Sequence, residues 1–102
     1  MLKHIVMWKF KDFAEGAMKI QNLHRAEAMF ESLPAEISQI KKLEIGIDVL
    51  HTGTSYDLVL LCEFDDREAL SQYQNHRRHM EIVEFLGKVQ TAKVVVDYEI
   101  PA

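Results

Sequence analysis

Hydrophobic and polar positions alternate through residues 2–10, with Leu2, His4, Val6, Trp8 and Phe10 on one face and Lys3, Ile5, Met7 and Lys9 on the other. A period of two predicts a strand. The period then lengthens. Asp12 and Glu15 form a capping-box-like pair, and Ile20, Leu23, Phe30 and Leu33 recur near one helical face. These signals predict a helix from about Phe13 to Leu33, stopped by Pro34. Gly16 in its first turn costs about 1 kcal/mol relative to alanine, an amount the apolar stripe offsets. Met18 and Met29 read as gap-filling core.

Alternation returns from Lys41 to Leu50, where Leu43, Ile45, Ile47 and Val49 oppose Lys42, Glu44, Gly46 and Asp48. One wetter face suits a sheet edge. His51 to Ser55, with Gly53 inside, reads as a loop, and Tyr56 to Phe64 as a third strand whose centre is apolar on both faces. Asp65 or Asp66 begins a second helix, with Glu68 completing a capping box and Ala69, Leu70 and Tyr73 pointing inward. No apolar residue occurs from Asn75 to His79, so the helix is expected to break there before Met80, Val83 and Leu86 resume the spacing, with Gly87 as an end signal. Lys93 to Ile100 alternates again and forms the last strand.

Strand, helix, strand, strand, helix, strand is the split βαβ order of the ferredoxin-like α+β fold. It places the first and third strands at the centre of a four-stranded antiparallel sheet and the more charged second and fourth at its edges. Both helices then cover one face. The first and third strands carry too many apolar groups for the other face to meet water, so a homodimer packed sheet to sheet is expected. A chain of 102 residues fits one domain, residues 1–102, and 48% hydrophobic with 27% charged residues is an ordinary globular balance. The apolar run from Leu58 to Cys62 is too short to span a bilayer, and Lys9 and Lys11 interrupt the N-terminal patch, which argues against a secretory signal. A cytoplasmic location is expected. The net charge of −4 opposes general attraction to nucleic acid.

The candidate chemistry lies from Tyr73 to His79, which crowds a phenol, two imidazoles and two guanidiniums into one short stretch. His79 is suited to act as a base if Arg77 and Arg78 disfavour its protonation, with Tyr73 as hydrogen-bond donor to a developing oxyanion and His4 orienting a ligand. The competing reading makes Tyr73 a core aromatic and has His76 and His79 join two helical segments. Arg78 belongs either to a solvated surface or to an anionic ligand. Two histidines without a fitting carboxylate make a poor metal site, so no metal or cofactor is expected. Cys62, the sole cysteine, reads as a buried inert thiol.

The chain resembles the stress-responsive A/B-barrel (Dabb) family over nearly its whole length. The resemblance rests on residues 2–11, Leu33-Pro34, residues 43–49, residues 56–60 with Glu63-Phe64, Tyr73 to His79, and Val96-Asp97-Tyr98. It implies a subunit that pairs into a dimeric α+β barrel. Many members have no established activity and some are linked to stress responses. One plant member, olivetolic acid cyclase, closes a polyketide by aldol condensation. That enzyme's catalytic tyrosine and histidine fall on Tyr73 and His79, its cavity histidine on His4, and cavity apolar residues on Val6 and Trp8. The resemblance therefore implies a pocket for a small molecule; His76 and Arg78 are expected beside it from their own chemistry, Arg78 adding a second charge that departs from the relatives. Arg77 stands where relatives often have proline, and Trp8 is bulkier than the aliphatic residue common at its place.

Overall fold

The computed structural model describes residues 1–101. Its main sheet contains β1 (Leu2–Phe10), β4 (Lys42–Ile47), β5 (Leu58–Phe64) and β6 (Gln90–Glu99) in the order β4-β5-β1-β6, every neighbouring pair antiparallel. Helices α1 (Lys19–Glu31), α2 (Arg67–Asn75) and α3 (Arg77–Val89) complete a ferredoxin-like α+β fold. The expected centre and edges are therefore correct. On β1 the side chains of Leu2, His4, Val6, Trp8 and Phe10 are buried, as the alternation requires. They join Leu23, Ala26 and Phe30 of α1 and Ile82, Phe85, Leu86 and Val89 of α3 around one core.

The first helix begins later than its pattern implies. Phe13–Ala14 (β2) pairs with Ala17–Met18 (β3) as a small hairpin, with Glu15 and Gly16 at φ 51° and 72°. Two successive left-handed residues form the two-residue turn that suits a twisted hairpin, so Gly16 makes a turn here and does not weaken a helix. The Asp12–Glu15 box does not form. Gln21 instead accepts a hydrogen bond from the Met18 amide at 2.9 Å, and α1 starts at Lys19. Met18 and Ile20 consequently lie outside the core, at 59% and 53% exposure. Leu33–Ala35 forms a short 3₁₀ turn containing Pro34.

Asp66 caps α2 by accepting from the Ala69 amide at 2.9 Å, which leaves Glu68 in the first turn and no capping box. The expected break is present at His76, whose φ of −70° and ψ of 137° are extended. Beyond it the buried stripe of α3 is Ile82, Phe85, Leu86 and Val89, whereas Met80 and Val83 are exposed. The break resets the helical phase, so spacing carried across it from Tyr73 selects the wrong face. Gly87 lies inside α3 and does not end it.

The helices leave one face of the sheet uncovered. Met7, Val59, Val94, Val96 and Tyr98 are exposed there, with Met7 opposite Val59 and Val94 and Ile5 opposite Val96. Edge strand β6 therefore turns Val94 and Val96 toward the open side and Lys93, Val95 and Asp97 toward the helical side. No described helix is long and apolar enough to cross a membrane.

Candidate functional site

A cavity of about 180 Å³ lies between the sheet and α3. Its floor is His4, Val6 and Trp8 of β1 with Leu60 of β5, and Phe30 of α1 adds a wall. Gln74 of α2, His79, Val83, Leu86 and Gly87 of α3, and Gln90, Lys93 and Val95 of β6 complete it. Val83 and Val95 are half exposed, which puts the mouth between α3 and β6. His4, Val6 and Trp8, expected at a ligand site, and His79, expected as the base, line the same cavity.

The helix break positions His79. Ending α2 at Asn75 leaves carbonyls of its last turn without helical partners, and His79 Nδ1 donates to one of them, the Gln74 oxygen, at 3.1 Å. A carbonyl only accepts, so Nδ1 carries a proton and the neutral ring keeps its lone pair on Nε2. Burial holds the His79 pKa below its ordinary value; the Gln74 bond raises it in part, and the nearby His4 and Lys93 lower it further. The arginines expected to produce this effect point elsewhere. Arg78 pairs with Glu36 at 2.6 Å and with Glu81 at 3.4 Å, and Arg77 pairs with Glu81 at 3.6 Å.

His4 is buried, and its Nδ1 lies 2.5 Å from Oδ1 of Asp97, its register partner on β6. The carboxylate fixes the imidazole plane and directs the ring's other nitrogen away from β6. The two imidazoles flank Tyr73, whose ring centre is 4.4 Å from that of His79 and 6.3 Å from that of His4. Tyr73 itself is fully buried and outside the cavity wall. Its hydroxyl has no hydrogen-bond partner that meets the geometry among the described residues and lies beside the Cys62 thiol. Burial raises the pKa of both groups, that of Cys62 to about 12, so both stay protonated and the thiol is inert.

Two other residues expected at the ligand lie outside this cavity. His76 caps α3, its Nδ1 accepting from the Arg78 amide at 3.1 Å, and does not line the cavity. Arg78 is committed to Glu36 and Glu81 and does not line it either. Lys93, Gln74, Gly87 and the orienting Asp97 were missed, because their proximity depends on the β1–β6 register and on where α2 ends. Among the described residues no group of three His, Cys, Asp or Glu side chains converges as a metal site requires.

The family model of the stress responsive A/B barrel domain matches residues 2–100. The chain belongs to that family. Among solved structures, a dimeric protein of unknown function with a ferredoxin-like fold from Bacteroides fragilis shares 30% identity, covering 97% of this chain and 95% of that one at a TM-score of 0.86. A dimeric ferredoxin-like protein of unknown function from Thermobifida fusca shares 19% identity over 97% and 90% of the two chains, at a TM-score of 0.84. The hydroxynitrile lyase of Passiflora edulis shares 16% identity over 98% and 93%, at a TM-score of 0.78, which establishes likeness of fold. No curated protein matches the chain.

Proposed function

We propose that this A/B-barrel protein binds a small carbonyl compound in the cavity and moves a proton on it without a cofactor, with His79 as the base. The observation that carries this reading is the state of His79, a cavity imidazole whose Nδ1 is occupied by the Gln74 carbonyl and whose protonation is disfavoured. A base is useful near neutral pH when its lone pair is free there. His4, held by Asp97, is the second polar group at the floor and orients the ligand there. Aldol closure and carbonyl isomerisation share this proton removal beside a carbonyl. In the reverse aldol reaction the base takes the β-hydroxyl proton as the C–C bond breaks, and a proton returns to the enolate carbon. An apolar cavity of about 150 Å³ holds benzene, so the space here suits a single substituted ring. A polyketide-type chain of the kind cyclised by aldol condensation would leave much of its length outside, between Val83 and Val95.

The functional form in this reading is a homodimer. The apolar side chains of Met7, Val59, Val94, Val96 and Tyr98 need cover, and the Bacteroides and Thermobifida relatives are dimeric. The decisive experiment follows exchange of the protons beside the carbonyl in small aryl ketones and aldols dissolved in D₂O, using NMR. Wild type should catalyse the exchange and His79→Gln should lose at least a hundredfold while remaining folded. Equal rates would overturn the assignment.

Ligand carriage without turnover is the second reading. It is favoured by the Tyr73 hydroxyl, which lies beside Cys62 and leaves the cavity without the phenolic donor that a cyclase-type pair would use. A carrier raises its melting temperature with ligand and exchanges no proton.

A further inference from the structure

Lys93 is the only formally charged residue besides the two histidines in the cavity wall, and its register partner across the β1–β6 pair is Trp8. Directly paired residues project from the same face of a sheet, so Lys93 and Trp8 both line this cavity. Both are donors. The Trp8 Nε1–H is buried with no acceptor among the described residues. No carboxylate pairs with Lys93 among the described residues either. Asp97 is the nearer of two acids on the same face of β6, but it lies four residues on, about 13 Å away in an extended strand, and His4 engages it, while Glu99 lies farther off and pairs with Arg67. The wall contains no acid, so Lys93 gives the cavity an unmatched positive charge, and that charge lies close enough to His79 to disfavour its protonation.

We propose that the ligand of this cavity is a small carboxylate, its anionic group held by the Lys93 ammonium and its carbon skeleton lying against Val6, Trp8 and Leu60. This rests on the small-molecule reading above and specifies the ligand class. A carboxylate satisfies the ammonium with a charge-assisted hydrogen bond, which the wall itself does not offer. It also places a negative charge near His79, opposing the positive field of Lys93 there.

Benzoate and benzamide, which differ in charge and hardly in shape, test the assignment by calorimetry or NMR titration at low salt. Wild type should bind benzoate about fivefold more tightly than benzamide, roughly 1 kcal/mol of preference. Lys93→Met should bind the two equally and Lys93→Arg should keep the preference. Lys93 is exposed on an edge strand, so both variants are expected to keep the wild-type circular dichroism. Benzamide binding as tightly as benzoate, or a preference unchanged in Lys93→Met, would overturn the carboxylate assignment and leave the cavity reading standing. Binding of neither compound at millimolar concentration would overturn both.

Discussion

Nδ1 of His79 stands 3.1 Å from the carbonyl oxygen of Gln74, and this bond joins the break between α2 and α3 to the protonation of the cavity. His79 should titrate below its ordinary value of 6.5 in an imidazole NMR experiment. Lys93→Met should move it upward, because one of the charges that lowers it is gone. Proton exchange should fall as pH drops through the folded pKa and be flat above about 6.5. Linkage gives stability the same sign. A histidine with a depressed folded pKa binds more protons unfolded, so its contribution is complete above the unfolded value and declines as pH falls toward the folded one. A measured His79 pKa above 6.5 would contradict the arrangement.

Tyr73 gives a different prediction because its ring and its hydroxyl have separate surroundings. The ring packs between His4 and His79, while the buried hydroxyl meets only the poor acceptor Cys62. Tyr73→Phe keeps the ring and removes an unsatisfied polar atom. Urea unfolding should find it as stable as wild type or up to about 1 kcal/mol more stable. Its exchange rate should stay within about twofold. A hundredfold loss in folded Tyr73→Phe would mean that the hydroxyl reaches the reacting atoms.

Alternation made β1 legible residue by residue, because a strand with one buried face shows its period directly in the positions of Leu2, Val6, Trp8 and Phe10. Element order then fixed the sheet. What stayed hidden was phase and register. Glu15-Gly16 has the chemistry of a tight turn, yet Asp12 and Glu15 also mimic a helix start, and only the pairing of Phe13 with Met18 decides between them. The break at His76 was visible as a stretch without apolar residues, but its extended ψ turns His79 into the cavity while leaving His76 as a cap and Arg78 against Glu36. Lys93 read as an ordinary edge-strand charge. Its place beside Trp8 follows from hydrogen-bonded pairing between opposite ends of the chain, which local spacing does not encode.

Val96 tests the open face of the sheet. It is 51% exposed, lies on edge strand β6 and faces away from the helices opposite Ile5. A lysine there would put a charge into any interface on this face while leaving the core of the subunit untouched. Sedimentation should find wild type dimeric at micromolar concentration and Val96→Lys monomeric, with unchanged helix content. A monomeric wild type would remove the dimer from the proposal.

Gly87 separates the stability of α3 from the openness of the cavity. It is a glycine inside a helix, and a Cβ there would meet no atom within 4 Å. Gly87→Ala should therefore stabilise the protein by about 0.5–1 kcal/mol, the ordinary gain for removing backbone freedom in a helix. The same residue forms part of the cavity wall beside Val83 and Leu86. A larger side chain at this position should narrow the space that a ring occupies, so Gly87→Leu should keep or raise the melting temperature while abolishing the thermal shift produced by benzoate. Alanine should weaken that shift by less. If Gly87→Leu binds benzoate as wild type does, the ligand occupies some other part of the molecule, and the roles given to His79 and Lys93 fall together.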